Sequence, residues 1–392
     1  MKKKALSLMV VLSMVMMTLV GCGGGAAAAS ADNAAAAETF KIGGIGPTTG
    51  GAAVYGIAVM NGAQIAIDEI NAAGGINGCQ IEYKFEDDEC DNEKSVNAYN
   101  TLKDWGMDML LGSVTSGCCT AVAAESSNDK MFQITPSGSS TSCIDGNDNV
   151  FQVCFTDPNQ GVGAASYIGQ NAVASKVAII YDSSDVYSSG IYEKFVAEAA
   201  NQPFEIVSSE AFTADSKTDF SVQIQKAKDA GAELVFLPIY YTEASLILTQ
   251  ANSMGYSPLF FGCDGLDGIL GVENFDQALA EGVMLLTPFA ADATDDATQK
   301  FVKTYEEKYK ETPNQFAADA YDGIYIFKAA IEKAGITPAD SVEDMCAKLV
   351  PAMKEISVDG LTGAAMSWDD DGAVNKAPKA MKIIDGNYSL IQ

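Results

Sequence analysis

The fold is decided by the stretch FKIGGIGPTTGGAAVYGIAVMNGAQIAIDEINAAGGINGCQIEYKF, residues 40–85. It begins and ends with short β-rich apolar runs, 40–45 and 81–85, and the apolar side chains between them recur at the spacing of one helix face. Gly74-Gly75 then ends the helix, and Asn77-Gly78 turns the chain into the second run. The stretch therefore predicts a β-α-β unit with two parallel strands.

The same alternation of short strands and helices continues along the chain and restarts after residue 150. Further strands are expected at 109–111, 131–134, 176–181, 233–237 and 259–261. A chain of 392 residues is longer than the ~250–300 at which a single hydrophobic core stops growing. We therefore predict an α/β protein with parallel sheets in two lobes.

The last part of the chain has a different pattern. Residues 297–349 have helical periodicity, and two short strands are expected at 364–368 and 380–384. The acidic turn Asp369-Asp370-Asp371-Gly372 joins them. It lacks the alternating ligands and the distal Glu of a calcium-binding loop, so we interpret it as a solvated hairpin turn.

Composition excludes several classes of function. The formal net charge is −28, all 24 basic residues are Lys, and His is absent. Such an acidic chain is not expected to bind nucleic acid. Without His or Arg, Ser-His-Asp catalysis, His-ligated metal sites and guanidinium clamps are excluded. We expect no metal and no cofactor, so a ligand must be held by acids, hydroxyls, aromatics, Lys and backbone groups.

The first residues have the pattern of an export signal. Lys2 to Lys4 precede an apolar run, 5–20, that is too short to span a membrane. Leu19-Val20-Gly21-Cys22 resembles a bacterial lipobox, in which the Cys is acylated after cleavage. We therefore expect a signal peptide over 1–21, a lipid on Cys22 and a flexible tether over 22–38. The protein is then exported and anchored to the outer face of the cytoplasmic membrane.

The eight cysteines after Cys22 are scattered and include no C-x-x-C pair, so a metal or redox centre is not indicated. Cys143 and Cys154 flank a turn-rich segment, and we consider a local disulfide between them. A second candidate pair joins Cys90 to Cys118 or Cys119.

Loops that follow the predicted strands are expected to converge on a cleft. The Gly-rich loop after the first strand lacks the spacing of a dinucleotide site, so we expect it to border this cleft. Hydroxyl-rich loops at 113–117 and 135–141 offer donors to an anion, and 240–243 and 263–265 bring an acid that can pair with a cation. Taken singly, each loop is also compatible with an ordinary helix cap or turn.

These features resemble the leucine/isoleucine/valine-binding protein family, the type I periplasmic substrate-binding proteins of ABC transporters. The resemblance covers most of the chain from Phe40 onward. It is carried by Asn61-Gly62-Ala63, by Asp68-Glu69-Ile70-Asn71-Ala72-Ala73-Gly74-Gly75-Ile76-Asn77-Gly78, by Asp87-Asp88-Glu89-Cys90-Asp91, by Thr135-Pro136-Ser137, by Ala317 to Asp322 and by Trp368-Asp369.

The resemblance implies a set of ligand-binding residues. They are Ser116, Ser137, Gly138, Ser139, Asp264, Tyr55, Tyr187 and Tyr240. Ser116 is expected to meet the ligand carboxylate, Asp264 the ammonium, and the tyrosines to close over the ligand. Two departures from the family are an Asp where leucine-binding members have Glu, and Thr115 in place of the Cys that pairs with the family's early Cys. Because Thr115 cannot form a disulfide, Cys118 or Cys119 is left as the partner of Cys90, and we take Cys119 as the expected one.

The resemblance also implies the architecture and partners. A three-strand hinge would join lobe 1, residues 39–154 and 289–362, to lobe 2, residues 155–288 and 363–392. The expected function is a monomeric, non-enzymatic receptor that captures a small amino acid, branched-chain or related, and delivers it to an ABC permease. A sensing lipoprotein of the same fold that binds an amide or an aromatic or polar amino acid is the alternative. An exported glycosidase using paired acids is a more distant one.

Overall fold

The computed structural model describes residues 39–391. The predicted signal peptide, the tether and Cys22 lie outside this range. The described strands are β1 (Thr39–Gly46), β2 (Gln80–Asp87), β3 (Met109–Leu111), β4 (Phe132–Thr135), β5 (Val150–Gln152), β6 (Lys176–Asp182), β7 (Glu205–Phe212), β8 (Leu234–Leu237), β9 (Leu259–Gly262), β10 (Met284–Thr287), β11 (Lys379–Ile384) and β12 (Asn387–Leu390).

The described α-helices alternate with these strands and then follow one another after β10. They are α1 (Ala53–Ala72), α2 (Asn92–Trp105), α3 (Ser116–Asp129), α4 (Asp157–Gln170), α5 (Val186–Ala199), α6 (Ser221–Asp229), α7 (Tyr241–Ser253), α8 (Asp296–Tyr309), α9 (Gln315–Ala334) and α10 (Val342–Met353). None of the helices within 39–391 combines the length and apolar character that crossing a bilayer requires.

Two sheets form the framework, and both are doubly wound. The first has the order β2-β1-β3-β4-β5 and is parallel throughout. The second has the order β12-β11-β10-β9-β8-β6-β7, and its strands β6 to β10 repeat the same parallel pattern. The predicted α/β fold with parallel sheets in two lobes is therefore confirmed.

Helices cover both faces of the sheets. In β6, Val177 and Ile179 pack with α4 and α5, whereas Ala178 and Ile180 belong to the core on the other face. All four side chains are fully buried. Burial on both faces explains why residues 177–181 of the strand form a continuous apolar run in the sequence.

The chain passes between the two sheets three times. It leaves β5 for α4, returns after β10 to α8 and α9, and leaves α10 for β11. Helix α9 packs closely along α1, where a side chain at Gly62 would overlap the Ala317 carbonyl oxygen. These crossings give the first lobe helices that come from two separate parts of the sequence.

The tail prediction is right for the exposed acidic turn, across which Trp368 bridges Val374, and for the strand at 380–384, but it is wrong for a strand at 364–368. Residues 364–368 form no strand and make only isolated bridges, Val358 with Met366 and Trp368 with Val374. Residues 380–384 lie in β11, which pairs antiparallel with β10 and with β12. The Trp368 indole N–H instead donates to the Gln152 carbonyl at 2.8 Å, so this segment is held by the end of β5 rather than by β11.

No disulfide joins the eight cysteines within 39–391 in this reduced form, and their neighbours differ in part from the expected pairs. Cys143 lies beside Cys119, not Cys154, and Cys90 lies beside Cys118 rather than Cys119. Consecutive residues of a helix point about 100° apart, so Cys118 and Cys119 on α3 face different neighbours.

Candidate functional site

The candidate site is a small cleft at the carboxyl ends of the parallel strands of both sheets. This edge, at a topological switch point, is where open α/β sheets bind ligands. In this closed form the space left between the lining residues is about 10 Å³, which is room for about one water molecule. Six of the eight predicted residues line it, and they are Ser116, Ser137, Asp264, Tyr55, Tyr187 and Tyr240.

One end of the cleft presents donors for an anion. Ser116 is the first residue of α3, and the preceding Thr115 makes no side-chain cap hydrogen bond. The Ser116 hydroxyl accepts from the Ser140 N–H at 3.2 Å, which leaves its own proton available to donate. The start of an α-helix carries free N–H groups and a partial positive charge. This end can therefore hold a carboxylate without a guanidinium group.

The second hydroxyl-rich loop supports this end. The Ser137 hydroxyl donates to the Val114 carbonyl at 2.7 Å, so it joins the two loops. The Ser139 hydroxyl is fully buried and has no hydrogen-bond partner within the described residues. Buried polar groups are normally paired, so an unpaired hydroxyl beside a cleft indicates a position where a bound group can be met.

Gly138 does not line the cleft. Its N–H donates to the Thr135 hydroxyl at 2.7 Å, and its carbonyl accepts from the Gln152 side chain at 2.7 Å. A Cβ at this position would come within 2.8 Å of the Cys119 Cβ. The structure therefore gives Gly138 a packing position, with both backbone polar groups bound to the protein.

The opposite end of the cleft is acidic. Asp264 follows β9, is 3% exposed, and accepts a 2.7 Å hydrogen bond from the Tyr187 hydroxyl. Burial raises the pKa of Asp264 to about 7, although hydrogen bonds from Tyr187 and Gln160 act in the other direction. A carboxylate desolvated to this degree is stabilised by a cation placed next to it.

A second buried acid, Asp157, was not predicted from the sequence to be a site residue. It is the first-turn residue of α4, is 1% exposed, and neither carboxylate oxygen has a hydrogen-bond partner among the described residues. Burial raises its pKa, the neighbouring Ser139 hydroxyl partly offsets this, and Asp264 raises it further. The Ser139 hydroxyl is thus close to Asp157 without being aligned for a hydrogen bond. Its position at a helix start made it indistinguishable from a capping acid.

Aromatic rings form the wall between the two ends. Tyr187 and Tyr240 stack at 5.0 Å, and Tyr55 packs edge-on to Tyr240 at 5.6 Å. Phe316, from the start of α9, lies 4.4 Å from the Tyr55 ring and was not predicted because its helix is distant in the sequence. Burial raises the pKa of Tyr55 well above its usual value, so its phenol stays protonated and can donate.

Hydrogen bonds also close the cleft from the first sheet to the second. The Tyr55 hydroxyl donates to the Gly265 carbonyl, and the Val54 N–H donates to the Tyr241 hydroxyl at 3.1 Å. At the rim the Thr242 hydroxyl donates to the Gly51 carbonyl. The structure is therefore a closed form in which residues of α1 and α7 meet across the opening.

Taken together, the cleft can solvate a small dipolar molecule, with hydroxyls and helix N–H groups at one end and a carboxylate at the other. Val114, Thr115 and Gly265 also line the cleft, and they belong to the loops 113–117 and 263–265 that were expected at the cleft, although none of them was named as a ligand-binding residue.

Comparisons with known proteins agree with this geometry. The model of the periplasmic binding protein family matches residues 39–387. The chain is 32% identical over 310 residues to Leu/Ile/Val-binding protein homolog 3 of Brucella melitensis, covering 78% of this chain and 82% of that one. It is similar to the structure of LivJ of Streptococcus pneumoniae, a branched-chain amino acid transporter substrate-binding protein in complex with isoleucine. The TM-score is 0.81 at 29% identity, covering 90% of this chain and 99% of that one.

LivK of Thermotoga maritima, a leucine-binding protein, gives a TM-score of 0.80 at 25% identity and covers 90% of this chain and 98% of that one. The family match spans both sheets and every residue that lines the cleft. The chain therefore belongs to the leucine/isoleucine/valine-binding protein family of type I periplasmic binding proteins, an extracytoplasmic family of substrate-binding proteins.

Proposed function

We propose that this protein binds a small zwitterionic amino acid, of the branched-chain class or close to it, and delivers it unchanged to an ABC permease. The observation that carries the proposal is the buried Asp264 carboxylate, which faces the uncapped start of α3 across a closed cleft. A zwitterion supplies both the missing cation and the missing anion. The branched-chain class is supported by the binding of isoleucine in the LivJ structure and by the names of the curated relatives.

The ligand would lie with its carboxylate at the first turn of α3 and its ammonium at Asp264. Ser116 and Ser139 would donate to the carboxylate, strengthened by the positive end of the helix dipole. Asp157 is close enough to Asp264 for each charge to affect the other, so when ionised it would add to the negative potential around the ammonium. The side chain would contact the rings of Tyr55 and Phe316, which offer apolar surface and no charge.

Binding would be coupled to hinge closure. We assign lobe 1 to 39–154 and 289–362 and lobe 2 to 155–288 and 363–392, joined by the three chain crossings. A ligand that touches both lobes binds the closed form more tightly and shifts the hinge equilibrium toward it. The permease would recognise the closed shape. A lipid on Cys22 would keep the receptor at the membrane that holds its permease, as a monomer on the outer face.

An aromatic acid is disfavoured as the ligand, because it has no cation for Asp264. A buried carboxylate left beside a second negative charge is unfavourable by several kcal/mol. The same argument applies to a sensing role that uses an anionic ligand. A sensing role with an amino acid ligand predicts the same cleft but no transport by the neighbouring permease.

The proposal is tested by isothermal titration with a panel of amino acids, amides and benzoate, followed by variants. Asp264→Asn should weaken the binding of the best ligand by about 2–5 kcal/mol, at least thirtyfold. Glu233→Gln, an exposed acid at the amino end of β8, is the matched control and should bind like wild type. A change of less than twofold in Asp264→Asn, or tight binding of benzoate alone, would overturn the assignment. Uptake of the bound amino acid by membrane vesicles that contain the permease separates transport from sensing.

A further inference from the structure

Two cysteines in the fold lie beside each other directly behind the anion-binding end of the cleft. Cys119 is in the first turns of α3, and Cys143 is in the short 3₁₀ turn, Thr141–Cys143, after β4. The Cys143 sulfur lies 3.6 Å from the Ser116 carbonyl oxygen and 3.8 Å from the Thr120 hydroxyl, both in the turn of α3 that carries Cys119. Both side chains are fully buried in one small cluster with Ala123, Ile144 and Val150.

We propose that Cys119 and Cys143 form a disulfide bond in the exported protein, which crosslinks the start of α3 to the loop after β4. Each sulfur loses its proton and the S–S bond forms. The two electrons reduce a small-molecule or protein disulfide of the extracytoplasmic space, such as oxidised glutathione, to two thiols. Such oxidants act outside the cytoplasm, where disulfides persist.

The surroundings of the two sulfurs favour this pairing over others. Cys118, the adjacent residue, faces the other way and lies beside Cys90, so it does not compete for Cys143. Cys154 is not part of the buried cluster that holds Cys119 and Cys143. Helix geometry therefore separates the neighbouring thiols of α3 into two independent environments.

The crosslink would act on the residues that meet the ligand. The Cys143 sulfur lies 3.6 Å from the Ser116 carbonyl oxygen, and the Ser140 N–H donates to the Ser116 hydroxyl at 3.2 Å. The ring closed by the disulfide contains β4 and the loop with Ser137 and Ser139. Fixing its ends would hold both donor loops at one separation, whether the lobes are open or closed.

The burial of Cys143 determines when the disulfide can form. Desolvation, together with the neighbouring Cys119 thiol, raises the pKa of Cys143 well above its usual value. The thiolate is the species that exchanges with disulfides, so a folded, buried Cys143 reacts slowly. The bond would form while the chain folds after export and would then resist reduction in the native state.

The test is a mass-spectrometric map of the native protein. Thiol exchange is quenched with acid, free thiols are blocked with N-ethylmaleimide in denaturant so that buried cysteines also react, and the chain is digested without reductant. Trypsin separates the two partners because it cleaves after Lys130, and Asp-N cleaves before Asp145 and so separates Cys143 from Cys154. We expect a peptide pair that contains Cys119 linked to Cys143. Recovery of Cys143 with the maleimide adduct, or linked to Cys154, would refute the proposal.

Variants resolve the adjacent cysteines and test the effect on stability. Cys118→Ser should keep the link to Cys143, whereas Cys119→Ser should abolish it. The double variant Cys119→Ser/Cys143→Ser should unfold at a midpoint about 5 °C below wild type under oxidising conditions, and a reductant present during unfolding should remove the difference. Cys346→Ser, in α10, is the control with no expected partner. An unchanged midpoint in the double variant would contradict the crosslink. The map does not depend on the ligand, so it is independent of the proposed function.

Discussion

A buried ion pair where the chain makes its third crossing gives the sharpest quantitative test of the hinge. Lys376 Nζ lies 2.8 Å from the Asp319 carboxylate, and both side chains are 1% exposed. Lys376 also donates to the Thr362 hydroxyl, which in turn donates to Asp322 at 2.6 Å. The Lys376 ammonium group thus pairs directly with Asp319 and is linked through the Thr362 hydroxyl to Asp322, and both acids are on α9.

We consider Lys376→Met, which removes the charge and keeps most of the side-chain volume. At an effective dielectric constant of ~20, two unit charges 2.8 Å apart attract by about 6 kcal/mol, most of which offsets their desolvation. Breaking a buried pair usually costs about 3–5 kcal/mol. Burial already raises the pKa of Asp319, and Lys376 opposes that rise, so in the variant this carboxyl should become protonated.

Protonation of Asp319 limits the loss of stability in Lys376→Met and makes that loss depend on pH. An unfolded Asp has a pKa of about 3.9, so holding Asp319 protonated at pH 7 costs about 4 kcal/mol and at pH 5 about 1.5 kcal/mol. The folded variant carries one more proton than its unfolded state between these pH values. Its stability therefore rises as pH falls from 7 to 5, and the difference from wild type shrinks.

The assay is urea unfolding of the ligand-free protein at pH 7 and pH 5. We expect Lys376→Met to lose about 3–4 kcal/mol at pH 7 and less than half of that at pH 5. Lys303→Met is the control, because its pair with Glu307 spans 3.9 Å between side chains that are 75% and 69% exposed, and it should lose at most ~0.5 kcal/mol. A loss below 1 kcal/mol at pH 7, or an equal loss at both pH values, would refute the reasoning.

Three further predictions concern the cleft and the core. Because the pKa of Asp264 is about 7 and its ionised form pairs with the ligand, titration calorimetry should show affinity about a hundredfold weaker at pH 5 than at pH 8; constant affinity would contradict the pairing. Thr242→Val removes the hydrogen bond to the Gly51 carbonyl at the rim and should weaken binding about threefold to tenfold, with unchanged unfolding by urea. Gly62→Ala should destabilise the fold by about 1–3 kcal/mol through overlap with α9, whereas Gly163→Ala, whose Cβ would come no closer than 3.3 Å, to the Pro378 side chain, should cost much less; equal effects would show that the contact is not tight.

Sequence patterns predicted the buried strands better than the exposed ones. The run at 177–181 became part of β6 because both of its faces are covered, which leaves a continuous apolar signal. Strand β7, Glu205–Phe212, has an exposed or half-exposed side chain at all but its last position and was not predicted. The segment 364–368 was expected to be a strand, but its backbone makes only isolated bridges. Its Trp368 side chain donates to the Gln152 carbonyl at the end of β5, so the segment joins no sheet.

The residues of the cleft were also predicted only in part from the sequence. Residues that follow strands, such as Ser116 and Asp264, could be placed because parallel strands end at one edge of a sheet. Phe316 could not, because it reaches the cleft from a helix that returns to lobe 1 after β10. Asp157 could not either, since only burial distinguishes it from an ordinary acid at a helix start.

The absence of Arg makes closure itself part of ligand recognition. Hydroxyls and helix N–H groups exchange readily with water, so an open cleft would hold a carboxylate only weakly. Once the rim closes, the same donors act in a medium of low dielectric constant, where each is worth more and an unpaired group is costly. The same exclusion of water raises the pKa of Asp264. A ligand that lacks either charge leaves one end unpaired and cannot stabilise the closed form, so discrimination and hinge closure would have one physical cause.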